Sequence, residues 1–330
     1  MGIYLIRRIL YAVPILIGVN LLTFLLFFGV NSPDNMARAQ LGNKRISSVQ
    51  IDQWKHLHGY DLPKFYNADQ EGLNKFRLTI FFQKSLSLFN FNFGMSLEGR
   101  QISDDIRTRM WPSLAIALPT LIIGVIVNIS LALFAVLFRY SVFDLAGVFL
   151  CVILMSISSL FYIIAGQFLF AKWWQWFPIS GYQSGWSSWR FVALPVMVGV
   201  LSGIGVGVRW YRSLFLEEMD KDYVRYARAK GLAEFIVLFK HVLKNALLPI
   251  LTGLVVIIPS LFLGSLIMES FFGIPGLGSY TIDAIHAQDF EVVRVMVFIG
   301  TLLYLIGLVL TDISYALVDP RIRLGAQHVA

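Results

Sequence analysis

Six stretches of this chain hold no Asp, Glu, Lys or Arg: residues 9–30, 112–138, 145–171, 191–208, 246–268 and 295–311. All 27 basic and 20 acidic residues lie outside them. Uncharged apolar runs of this length meet the demand of a bilayer core roughly 30 Å thick, which a helix crosses at about 1.5 Å per residue. The pattern therefore predicts an all-α polytopic membrane protein with six transmembrane helices. Between the spans lie polar segments of unequal length. Residues 31–111 are mixed polar and aromatic, punctuated by Pro33, Gly59, Pro63 and Gly72; they are too long for a linker and predict a small extracytoplasmic domain. Residues 139–144 form a short turn that predicts antiparallel packing of the second and third spans.

Composition excludes a soluble reading. Apolar residues make up 57% of the chain and charged residues 14%, against about 45–50% and 25% in ordinary globular chains. The net charge of +7 needs no nucleic acid to explain it, because basic residues retained beside membrane spans set topology. Six spans place both termini on one side. That side carries Arg7, Arg8, Arg139, Arg321, Arg323 and eight further basic residues from Arg209 to Lys244. The short loops opposite carry only Lys172, Arg190 and Arg294. The long 31–111 loop does not count, since loops of that length cross largely regardless of charge. The bias predicts an N-in, C-in topology.

Several local features have plain readings. Arg7-Arg8 before an apolar run, with Ala37-Arg38-Ala39 beyond it, resembles a signal peptide. The run exceeds the usual core of about 7–15 residues, so a retained first helix is expected. Cys151, the single cysteine, forms no intrachain disulfide and reads as a small apolar core residue. Trp173, Trp174, Trp176, Trp186 and Trp189 crowd the third-to-fourth loop, as indoles do at membrane interfaces. Pro195 and the series Gly199, Gly203, Gly205 and Gly207 mark the fourth span. Glycine there suits close helix approach first and gating second.

Catalytic and metal chemistry finds no residues. There is no phosphate-cradling G-x-x-x-x-G-K-[ST] and no H-E-x-x-H. His56 and His58 lie close together without an identifiable third ligand, so neither a metal site nor a cofactor is expected on this chain. Ionisable residues are missing from the centres of the spans, where ion-coupled carriers and intramembrane enzymes place theirs; Glu269 and Asp312 stand at span edges.

The loop 209–245 is different: it concentrates eight basic and five acidic residues. From Asp222 it reads DYVRYARAKGLAEFIVLFKHVLKNALLP. The spacing of Tyr223, Tyr226, Ala227 and Lys230 predicts a short helix with Arg225 and Arg228 on another face. Gly231 stands where a left-handed helix end needs glycine, and a second helix over about 232–245 leads towards Pro249. Ala227, Ala229 and Gly231 offer a small-residue surface. On physics alone this knob fits either a partner groove or an anionic lipid surface.

The segments ARAKGL and HVLKNALLP resemble the cytoplasmic coupling loop of ABC-importer permeases, in the branch that imports dipeptides, oligopeptides and nickel. YLIRRILYAVPILIGVNLLTF at 4–24, GYDLP at 59–63, NFGMS at 92–96, ESFFGIPGLG at 269–278 and DISYALVDPRIR at 312–323 are similar to other segments of that branch, in the same order. Arg225 replaces the acidic residue of the general loop motif, as is usual in the peptide branch. The resemblance implies the ABC-importer permease fold, divided into residues 1–30 with the first span, the 31–111 domain and a 112–330 core. It implies a translocation subunit for peptides, or alternatively for nickel or peptide-like antimicrobial compounds, in a bacterial inner membrane; apart from the resemblance, an ion-coupled carrier is the more distant alternative. Its implied partners are a second permease, two ATPases that hold ATP and Mg²⁺, and an extracytoplasmic binding protein. Arg225, Tyr226, Ala227, Arg228, Ala229, Lys230 and Gly231 then form the ATPase-coupling element. Glu269, Pro275, Gly276 and Gly278 belong to a docking face or gate for the binding protein.

Overall fold

The computed structural model describes residues 2–30, 32–42 and 47–318. The tail with Arg321, Arg323 and His328, and the end of the 312–323 segment, lie outside the described residues. The chain is helical: α1 (Gly2–Val30), α2 (Pro33–Leu41), α3 (Ser48–His58), α4 (Asn74–Arg77), α5 (Ile102–Leu137), α6 (Val142–Ser156), α7 (Ser159–Gly166), α8 (Ser188–Met219), α9 (Asp222–Ala229), α10 (Glu234–Ile236), α11 (Leu243–Ile257), α12 (Leu266–Phe272), α13 (Leu277–His286) and α14 (Phe290–Val318). Among the described residues the only β pairing is the isolated bridge Met95–Gln101. Five helical segments are long and apolar enough to cross a membrane: Leu10–Gly29, Ile102–Leu137, Ser188–Met219, Glu234–Leu263 and Phe290–Ser314. A sixth arises if the bent pair Val142–Ser156 and Ser159–Trp173 is one span.

Two compact units divide the chain. One contains the residues up to Arg109 together with Tyr280–Val309; the other contains Met110–Ser279 and continues from Leu310. In the first, the far end of α1 buries Phe24 and Phe28 against Met36 and Ala37 of α2, Ile51 and Trp54 of α3, Tyr60 and Ile80. The Phe-rich stretch joins this cluster, with Phe81 edge-on to Phe24 at 5.1 Å. Polar ties fix the geometry: Asn20 Nδ2 donates to the Ser85 carbonyl at 2.8 Å and Lys64 Nζ to the Phe28 carbonyl at 2.6 Å. Helix α2 starts at a Ser32 cap with Pro33 in its first turn, and α3 starts at a Ser47–Gln50 capping box, the side chains that satisfy otherwise unpaired N–H groups.

The second unit is built around α8. Its fully buried Phe215 and its Tyr211 and Met219 recur at four-residue spacing and pack with Leu133 and Val136 of α5, Cys151 of α6, and Ala246 and Ile250 of α11. This spacing corrects the expected end of the fourth span at residue 208: Arg209 is exposed, Arg212 forks onto Asp144 of α6 at 2.9 and 3.1 Å, and the helix runs unbroken to Met219. Helix α6 packs along α8 rather than α5, contrary to the antiparallel pairing expected from the short turn. A Cβ at Gly205 would lie 2.7 Å from the Cys151 carbonyl oxygen, so only glycine admits this approach. Gly199 faces Thr120 and Gly207 faces Asn128 at similar closeness, which is the packing role expected of the glycine series.

Two other spans differ from expectation. The stretch 145–171 bends by 90° between α6 and α7. Its Ser156-Ile157-Ser158-Ser159 run is uncharged but not helix-neutral: Ile157 is extended, and Ser158 caps α7 by accepting the Phe161 N–H at 3.3 Å. Serine side chains thus offer the backbone partners outside the helix ladder. The stretch 246–268 is shifted. Helical structure begins at Glu234, passes through a π turn at Val237–Val242 and through Pro249, and ends in a 3-10 turn at Leu263. Gly264 then adopts φ +70° and α12 begins anew, so the expected second helix at 232–245 and the fifth span are one helical run.

Candidate functional sites

Helix α9 is short and strongly two-faced. Val224 is fully buried and Ala227 is buried in the α8-centred cluster, while Arg225, Tyr226, Ala229 and Lys230 are exposed. Arg228 turns towards the protein and forms a fork on Glu234, with Nη2 to Oε1 at 2.6 Å and Nε to Oε2 at 3.1 Å. This pair locks the end of α9 to the beginning of the helical run that enters α11. Tyr223 donates to Glu218 at 2.6 Å; burial and that carboxylate push its hydroxyl up to about 12, so it remains a donor. The helix ends in a Schellman turn. The Gly231 N–H donates to the Arg228 carbonyl at 2.9 Å and the Leu232 N–H to the Ala227 carbonyl at 3.4 Å. Gly231 takes φ +77° with nothing within 4 Å of where a Cβ would stand, so its requirement is conformational and not steric. The seven residues expected to form one surface are therefore divided, five outward and two inward.

The segment 269–278 is organised around a carboxylate. Glu269 is 1% exposed. Its Oε1 accepts the Ser265 N–H at 3.1 Å and its Oε2 the Ser279 N–H at 3.0 Å, with further bonds from the Ser113 hydroxyl and the Gly278 N–H. Burial pushes this carboxyl up from its ordinary range, and the donors pull it back. Any side chain at Gly264 or Gly276 would collide with the carboxylate, and a Cβ at Gly278 would lie 2.7 Å from the Leu266 nitrogen. Gly273 ends α12 in the left-handed conformation, and the Gly181 N–H donates to the Phe272 carbonyl at 2.8 Å. Of the four residues expected on a docking face, only Pro275 is exposed; the other three hold the hairpin together.

A second buried polar cluster escaped sequence reasoning. In the first unit, Glu291 accepts from Tyr60 Oη at 2.7 Å, pairs with Lys84 at 3.0 Å and bonds Arg294. Asp289 accepts the Leu97 N–H at 2.8 Å. Burial, with Glu291 beside it, raises the Tyr60 hydroxyl well above its usual range and keeps it a donor. Tyr60 of the GYDLP segment, Lys84, and Leu97 just after NFGMS thus anchor residues 31–111 to the start of α14. The contributing residues lie up to 231 positions apart, and only the acidic pair at 289 and 291 hinted at them. His58 stacks on Trp54 at 4.3 Å, and its Nδ1 contacts the Trp54 carbonyl. All five loop tryptophans are exposed.

The comparisons agree with one another. Residues 128–324 match the family model described as binding-protein-dependent transport system inner membrane component. A putative peptide transport system permease protein of Brucella abortus is 33% identical over 97% of this chain and 98% of its own length. The oligopeptide transport system permease protein AppB of Bacillus subtilis is 29% identical over 98% of this chain and all of its own length. The dipeptide transport system permease protein DppB of the same organism is 29% identical over 98% and 99%.

Proposed function

This chain belongs to the family of binding-protein-dependent transport system inner membrane components, and from that premise we propose that it forms one half of the path by which an ABC importer carries peptides across a bacterial inner membrane. It is a multi-pass permease of the peptide branch. It works beside a second, different permease, with two ATPases on the cytoplasmic side and a binding protein delivering peptide from outside. ATP and Mg²⁺ are held by the ATPases. In an N-in, C-in arrangement of six spans, with the bent α6–α7 pair as the third, α9 faces the cytoplasm and the 269–278 hairpin faces the binding protein.

The observation that carries this reading is the two-sided burial of α9. Its outer face presents Arg225, Tyr226, Ala229 and Lys230 to an ATPase groove. Its inner face, Val224 and Ala227, belongs to the same apolar cluster as α5, α6, α8 and α11. Close-packed interiors transmit displacement rather than absorb it, so closure of the ATPase pair on nucleotide binding moves α9 and with it the four helices. The path then alternates between outward-facing and inward-facing forms. Tagging this chain in its host, purifying it in mild detergent and identifying stoichiometric partners tests the reading. A second permease and ATPases are expected; a lone homo-oligomer would overturn it.

A further inference from the structure

Within the second unit, a cavity of about 410 Å³ lies between α5, α8 and α11. Its walls are mostly apolar, and Gly124, Gly203 and Gly253 strip side chains from all three helices. An adjoining cavity of about 300 Å³ shares Thr120 and Leu121 with it and continues towards Ser113 and Glu269. Such volumes are in the range of small-ligand sites, which set a few polar groups in an apolar lining. The polar group that stands out is Asn128 of α5. It borders the larger cavity and is 8% exposed, yet its Oδ1 has no hydrogen-bond partner. An amide buried without a partner is destabilising, and such groups in folded proteins call for a specific reason. Gly207 across from it makes the space: any Cβ there would overlap the Asn128 amide. The chain therefore keeps a buried, unpaired amide oxygen where the Asn128 side chain packs on the bare backbone at Gly207.

The geometry points to Asn128 as a peptide-backbone contact in the translocation path, with the α5–α8–α11 groove as the surface that the passing peptide occupies. This rests on the peptide-permease reading above. A carboxamide is donor and acceptor at once, so it matches a peptide bond, which also offers one N–H and one C=O. That match is independent of the peptide's side chains, and the glycine walls leave those side chains room.

The test uses the whole importer in proteoliposomes, with the binding protein saturated either by tri-alanine or by its analogue methylated at the central amide nitrogen. The wild type should carry tri-alanine faster than the analogue. Asn128→Leu should slow tri-alanine about tenfold, the factor one lost hydrogen bond gives, and bring the two rates together. Asn128→Ser, which keeps a donor and acceptor, should retain part of the preference. A preference equal in the wild type and the Leu variant would overturn the assignment. Independently of any variant, a tri-alanine bearing a diazirine should label α5, α8 or α11 during turnover. Labelling confined to other segments would also overturn it. A wild-type complex that carries neither peptide would instead defeat the peptide-permease reading itself.

Discussion

Glu269 shows how one residue can be visible in a sequence and its role hidden. It stands at the edge of an uncharged stretch, where an exposed acid is the simplest expectation, yet it is buried and its two oxygens accept N–H groups from Ser265 and Ser279. A glutamine there has to turn its NH₂ towards one of those donors, whichever way it flips. Glu269→Gln is therefore expected to lose about 1–3 kcal/mol, the penalty for leaving a buried polar group unmatched. A lower melting midpoint of the purified complex, followed by tryptophan fluorescence, checks this; an unchanged midpoint would mean that the carboxylate does not hold the hairpin. Asn128 is the converse case. Nothing in its sequence neighbourhood distinguishes it from any polar residue in a membrane helix, and only the facing Gly207 and the missing partner single it out.

At the scale of elements, α9 and its glycine turn were readable from spacing, because a left-handed C′ position is a local backbone demand. The structure adds that Gly231 has open space around it. Substitution is therefore opposed by conformation alone, by roughly 1–3 kcal/mol for a β-branched residue. Gly231→Val should insert and assemble but lose most peptide transport, measured in proteoliposomes with ATPase activity followed in parallel. Gly231→Asn should transport nearly as the parent does, since asparagine visits the left-handed region readily. Equal transport by the Val variant would detach this turn from coupling. The bend between α6 and α7 leaves no mark in the charge pattern, because the Ser156–Ser159 run is as uncharged as a continuous apolar helix. Hydroxyls carry no charge but do compete for backbone groups.

Across the whole molecule, the exposed apolar faces of the spanning helices, such as Leu22, Leu25 and Leu26 of α1 and Ile122 and Ile126 of α5, suit contact with lipid. The proposed sidedness rests on the distribution of basic residues. A cysteine at position 220, beside α9, should be protected from a membrane-impermeant maleimide in intact cells, and one at position 70 should react. The reverse pattern would overturn the N-in, C-in proposal.

Sequence alone determined that the chain is helical and crosses a membrane, since long uncharged runs have no other stable use. It also located the helix–glycine element at 222–231, whose signal lies within one turn of backbone. Tertiary structure decided where spans stop, which helices pair and which polar residues meet. Span ends depend on burial of residues such as Tyr211, Phe215 and Met219, which charge counting ignores. Pairing of α6 with α8 depends on the missing Cβ at Gly205. The Tyr60–Lys84–Glu291 cluster joins residues far apart in the chain. Its partners become neighbours only when an apolar core elsewhere brings them together, so local sequence holds no record of their meeting.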